Sequence, residues 1–114
     1  MDTIWLILYL AVIVFIIASL WKVYEKADQP GWAAIVPIYN IIVLLQIVGR
    51  PLWWIVLLLI PIVNIIIAII VNIDLAKSFG KEAGFGIGLA LLGIIFYPIL
   101  GFGDAEYEGP AAAV

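Results

Sequence analysis

From Ile4 to Trp21 the sequence contains no charged residue. As a helix these eighteen positions extend about 27 Å, close to the ~30 Å of hydrocarbon in a bilayer. Three more apolar runs follow, at 32–48, 52–73 and 85–103, separated by short polar breaks. A soluble domain ordinarily has about a quarter of its residues charged. Here 11% are charged and 68% are hydrophobic, which is too little polar surface to coat one soluble core. A soluble enzyme and a disordered tail are therefore excluded, and a net charge of −3 excludes a nucleic-acid binder. With no Cys and no His, disulfides, thiolate chemistry and His-ligated metals fall away, and neither cofactor nor metal is expected.

The first run competes with a signal peptide and departs from that pattern. Its start is acidic, it is too long, and no small-residue cleavage site precedes Lys22. It is expected to be retained as a span over 4–21, with Trp5 and Trp21 as interface anchors. Pro30-Gly31 then ends the helix. The second run, 32–48, holds Pro37, Asn40 and Gln46, and on length a re-entrant hairpin is its alternative. Gly49-Arg50-Pro51 breaks it. The third run, 52–73, contains Pro61, Asn64 and Asn72 and continues to a stop at Gly80. Gly86, Gly88, Gly93 and Pro98 punctuate the fourth, 85–103, and a short acidic tail occupies 104–114.

The expected fold is all-α: a polytopic membrane protein with four transmembrane helices in one compact bundle over 1–103. Its second and third helices are kinked at Pro37 and Pro61. Trp32, Trp53 and Trp54 add to the interface anchors. Lys22, Lys26, Lys77 and Lys81 then share one side, with Arg50 alone on the other. That bias puts the lysine loops in the cytoplasm and both termini outside.

Val36-Pro-Ile-Tyr-Asn-Ile-Ile42 echoes Ile60-Pro-Ile-Val-Asn-Ile-Ile66. In each, Asn follows Pro by three residues on a shared helix face, and the Pro frees a carbonyl, at Ala33 and Leu57. Asn40 and Asn64 fall near the middle of neighbouring spans and could meet there. They read either as structural clamps, since a bare amide in hydrocarbon costs a few kcal/mol, or as a polar site for an ion or small solute.

Tyr39 and Gln46 share another face of the second span, one suited to a partner helix. Gly86, Ala90 and Gly93, continued by Tyr97, form a small-residue packing stripe, whose counterpart is either span one, with its own small stripe Ala11 and Ala18, or a second copy of the chain. Asp74 is expected to pair locally with Lys77. No nucleophile and base converge in a cleft, and Gly80-Lys81-Glu82 lacks the rest of a phosphate loop. The chain is not expected to be an enzyme.

Several longer strings carry a resemblance. They are Tyr24-Glu-Lys-Ala-Asp-Gln-Pro-Gly-Trp-Ala-Ala-Ile-Val-Pro-Ile-Tyr-Asn40, Gly49-Arg-Pro-Leu-Trp-Trp54, Asp74-Leu-Ala-Lys-Ser-Phe-Gly-Lys81 and Leu100-Gly-Phe-Gly-Asp-Ala-Glu-Tyr-Glu-Gly-Pro110. They resemble an uncharacterised family of small bacterial four-helix membrane proteins. A similar module precedes the catalytic part in some proteins described as type I signal peptidases. This chain is expected to end where such a part would begin, so no protease activity is implied.

The expected role is a non-enzymatic accessory, scaffold or assembly subunit of the bacterial inner membrane, acting through helix packing. Its partners are lipids and either further copies of itself or a larger membrane complex. The alternative is a small oligomeric channel or transporter using Asn40, Asn64 and the proline-broken helices. Tyr107, in the tail, is expected to dock at the outer membrane surface or on a partner.

Overall fold

Helix α1 runs unbroken from Thr3 to Lys26 in the computed structural model, which describes residues 2–113. Met1 and Val114, the outer limits of the expected domain and tail, lie outside the described residues. Neither Gly nor Pro interrupts α1. It ends where Asp28 takes a left-handed φ of 60° and Pro30 follows. Among the described residues it is the one helix long and apolar enough to cross a membrane.

The other three apolar runs are each divided. A 3-10 turn, Gly31–Ala34, precedes helix α2, Pro37–Val48. Pro37 takes the first helical position, where a missing N–H costs nothing. Gly49, at φ 84°, ends α2; its N–H and that of Arg50 both close on the Leu45 carbonyl, at 2.9 and 3.0 Å. The third run becomes α3, Trp54–Leu58, and α4, Val63–Ser78. Between them Ile62 adopts φ 70° and ψ −52°, and the Val63 N–H reaches the Pro61 carbonyl at 2.8 Å. That is a γ-turn of the strained hand. The fourth run becomes α5, Ala83–Leu91, and α6, Gly93–Phe102, joined at Leu92.

Among the described residues the all-helical expectation holds, with six α-helices in place of four continuous ones. Pro37 and Pro61 do not kink helices. They stand at boundaries, because proline is tolerated at a helix start or in a turn and not in a regular interior. Pro98 is the exception, standing inside α6 rather than at its start.

The breaks reverse the chain. The Phe85 and Phe96 rings are 5.1 Å apart, whereas eleven residues of straight helix would separate them by about 16 Å. α3 packs back on α4, α4 on α5, and α5 on α6, while α1 lies against α6 and α2 against α4. Gly86 allows the α4–α5 approach, since a Cβ there would stand 2.8 Å from the Ile73 nitrogen and 2.9 Å from the Asn72 carbonyl oxygen. Gly101 does the same for α6 on α1, 2.5 Å from the Ser19 carbonyl oxygen. The stripe Gly86, Ala90, Gly93 and Tyr97 is therefore not one packing face: its helix breaks at Leu92, and Gly86 meets α4 rather than Ala11 or Ala18.

The buried core gathers at one end, around Val23, Tyr24, Leu45, Val48, Leu75, Phe79 and Leu100. The basic side chains lie at that same end. Lys26 sits beside Lys81, Asp104 and Glu106, Lys22 pairs with Glu25, and Arg50 pairs with Asp74, one turn before Lys77. The tail is bound there too, with the Glu108 N–H on the Ser78 carbonyl at 2.6 Å. The expectation that Arg50 and the C-terminal tail face away from the lysine loops is thereby corrected. Reversals near Ile62 and Leu92 bring the chain back each time. The far end is exposed hydrocarbon: the first turns of α1, Leu59 and Ile62, and Leu91.

Candidate functional site

Two amides in the bundle are held by tyrosines from other elements. The Tyr24 hydroxyl, on α1, donates to the Asn40 side-chain oxygen and lies 3.1 Å from the Asn40 carbonyl oxygen. Asn40 Nδ2 in turn donates to the Ala34 carbonyl at 3.3 Å. On α4, Asn72 Nδ2 donates to the Ala68 carbonyl at 2.7 Å, and its side-chain oxygen accepts from the Tyr97 hydroxyl. Pairing each amide removes the few kcal/mol that an isolated one costs in an apolar setting. Asn40 thus meets Tyr24 and not Asn64, because α2 starts beside the end of α1.

Asn64 lines an apolar groove of about 400 Å³ between α2 and the α3–α4 hairpin, with Ile41, Leu44, Leu58, Ala68 and Asn72. Asn40 borders a different opening, with Ile16, Leu20, Gly93 and Tyr97. The two openings share Ile41 and Leu44 as lining residues. The Leu57 carbonyl expected to be freed by Pro61 accepts the Ile60 N–H at 3.3 Å. Asn40 and Asn72 are thus clamped by tyrosines, while Asn64 faces the groove.

At the charged end, Arg50 grips Asp74 with two nitrogens, Nε to Oδ2 at 2.6 Å and Nη2 to Oδ1 at 3.2 Å. Its guanidinium also lies 4.5 Å from the centre of the Trp54 ring. Arg50 thereby displaces the expected Asp74–Lys77 pair, since a planar fork matches a carboxylate better than one ammonium. Lys26 Nζ donates to the carbonyls of Leu100 at 2.7 Å and Gly103 at 2.9 Å, capping α6. Burial lowers its pKa and nearby Lys81 adds to that, against the opposing carboxylates of Asp104 and Glu106.

Tyr107 docks on its own chain. Its hydroxyl donates to the Ile47 carbonyl at 2.6 Å and its ring packs 5.5 Å from Phe79, while burial raises its pKa. Ser78 completes this strap: its hydroxyl donates to the Asp74 carbonyl at 2.7 Å and accepts the Ala111 N–H at 3.1 Å. No local sequence signal marks Ser78 or Gly101, whose roles depend on segments far along the chain.

The expected anchors divide. Trp5, Trp32 and Trp53 are exposed, Trp53 lying edge-on to Trp54 at 6.4 Å. Trp32 stacks on Tyr39 at 5.2 Å, so Tyr39 is used inside the chain, and Trp21 covers Gly31. Gln46 is exposed.

A family model matches residues 32–110. The chain belongs to DUF5684, a family of unknown function. The DUF5684 match takes in α2 to α6, the Arg50–Asp74 pair and Tyr107, and begins after α1. Tyr24 and Lys26, which hold Asn40 and the end of α6, therefore reach into the DUF5684 region from a helix outside it. Nothing matches among curated proteins, nor among solved structures.

Proposed function

We propose that this chain is a non-enzymatic integral membrane protein of the bacterial inner membrane, an accessory or scaffold subunit that acts by helix packing. The carrying observation is the first half of α1. Ile4 to Leu10 are exposed one after another, Trp5 at 66% and Ile7 at 60%, on a helix of bilayer length. Support also comes from the polar interior, where Asn40 and Asn72 are occupied by Tyr24 and Tyr97. In this reading the charged end faces the cytoplasm, because all five basic side chains are there. The N-terminus is then outside and the tail inside, and the four crossings expected from run length give way to fewer.

The test is photo-crosslinking in native membranes from single positions along α1, such as Leu8 and Tyr9. A scaffold gives discrete protein adducts from one face of α1. Lipid adducts alone, from every face, would overturn the scaffold reading. A channel or transporter is favoured by one feature, the groove beside Asn64. It requires solute flux in liposomes that Asn64→Leu abolishes.

A further inference from the structure

Resting on that membrane reading, we propose that α3–α4 and α5–α6 are re-entrant hairpins. They enter the bilayer from the charged face and seat among the acyl chains of that leaflet, so that only α1 crosses. Length carries the first part of the argument. Twelve residues separate Asp74 from the turn at Ile62, about 18 Å of helix, and ten separate Glu82 from Leu92, about 15 Å. A leaflet's hydrocarbon is about 15 Å deep and the whole core about 30 Å. Any tilt shortens these reaches further. From Lys22 back to Thr3, α1 covers about 28 Å, enough to cross.

The hairpin tips are built for hydrocarbon. Leu59-Ile60-Pro61-Ile62 has no polar side chain, with Leu59 74% and Ile62 75% exposed, and Leu91 at the second tip is 69% exposed. An irregular turn is tolerated in lipid to the extent that its backbone groups are paired, each unpaired one costing a few kcal/mol. Around the first tip, the N–H groups of Leu59, Ile60, Val63, Asn64 and Ile65 each find a carbonyl at 2.8–3.3 Å, and among the described residues that of Ile62 alone in this stretch has no backbone partner. Pro61 brings no donor to satisfy. At the second tip the Leu92 N–H closes on Gly88, while Ile95 and Phe96 both close on Leu92.

The hairpin roots point the same way. Each returns to the lysine-bearing end: α4 to Ser78, which holds the tail, and α6 to Gly103, which Lys26 holds. Cations beside the roots suit a headgroup layer containing anionic lipid. A four-span path would instead carry 104–110 a full bilayer away from Lys81, which the bonds to Ser78 and Ile47 forbid.

The sequence has no Cys, so single-cysteine variants read sidedness cleanly. Lys81→Cys, Glu106→Cys, Asp2→Cys, Leu59→Cys and Leu91→Cys are treated with a membrane-impermeant maleimide in right-side-out and inverted vesicles. Positions 81 and 106 are expected to label from the same side and position 2 from the other. Positions 59 and 91 are expected to lose labelling from both sides until detergent is added. Asp104→Cys repeats the tail measurement should Glu106→Cys fold poorly. Labelling of 81 and 106 from opposite sides overturns the hairpins and leaves the membrane reading intact, as does labelling of either tip in sealed vesicles. Release of the unmodified protein by alkaline carbonate overturns the membrane reading itself.

Discussion

Arg50 and Asp74, twenty-four residues apart in the chain, form a two-pronged ion pair that fastens the end of α2 to the last turns of α4. Asp74 is 7% exposed, so losing its partner leaves a carboxylate with little water. Arg50→Ala is expected to destabilise the protein by about 2–3 kcal/mol, between the values for exposed and fully buried pairs. Arg50→Lys should recover only part of this, since an ammonium neither forks nor stacks on Trp54. Thermal unfolding in detergent measures both, and equal stability of the two variants would contradict the bidentate geometry.

The tail strap should be sensitive to alkali. Burial raises the Tyr107 pKa above the ordinary 10.0. Its hydrogen bond to Ile47 therefore stabilises fully below pH 10 and is lost as the pH climbs through the higher folded value. Tyr107→Phe should cost about 1 kcal/mol at neutral pH. The gap between the two proteins should close in strong alkali, which melting curves across that range would reveal. A gap that persists there means the phenol is not the group that titrates.

Strain at Ile62 gives a change in the other direction. A β-branched residue at φ 70° in a γ-turn carries about 1–3 kcal/mol. Ile62→Gly relieves that against about 0.5–1 kcal/mol of added backbone entropy. The net expectation is a gain of about 1 kcal/mol, seen as a higher melting temperature. A lower one would argue against this turn.

The two stripe glycines should behave differently. A Cβ at Gly86 meets the backbone of Ile73 and Asn72, which cannot move aside, so Gly86→Ala should cost about 1–3 kcal/mol. At Gly93 the obstacle is the Tyr97 ring, at 3.1 and 3.4 Å, which can shift. Gly93→Ala should fall within about 1 kcal/mol of the parent. Unfolding midpoints of the pair decide the matter, and the reverse ranking would place the close helix contact elsewhere.

Much of the local structure was legible. Pro30-Gly31, Gly49-Arg50-Pro51 and Gly80 punctuate the chain where the helices stop, because proline removes a donor and glycine accepts the left-handed turn. Asn40 was visible as a group needing a partner, whereas Asn72 stood only as a polar residue in its run and Asn64 drew the attention. The partners of Asn40 and Asn72, Tyr24 and Tyr97, were not visible, since sixteen and twenty-five residues of chain lie between. Asp74 likewise looked satisfied by its neighbour Lys77 until Arg50 arrived from α2.

By itself the sequence determined that the chain is helical, that its first apolar run is uninterrupted over bilayer length, and that charge is confined to a few short segments. The tertiary structure decided where the apolar runs 52–73 and 85–103 turn back. A run that is apolar on every side has no amphipathic stripe to mark a reversal. Continuous helix and hairpin therefore look alike in it. The choice rests on contacts available only after the chain has doubled back: Phe96 on Phe85 and Gly88, and Arg50 on Asp74. Those contacts bring every basic side chain to one end.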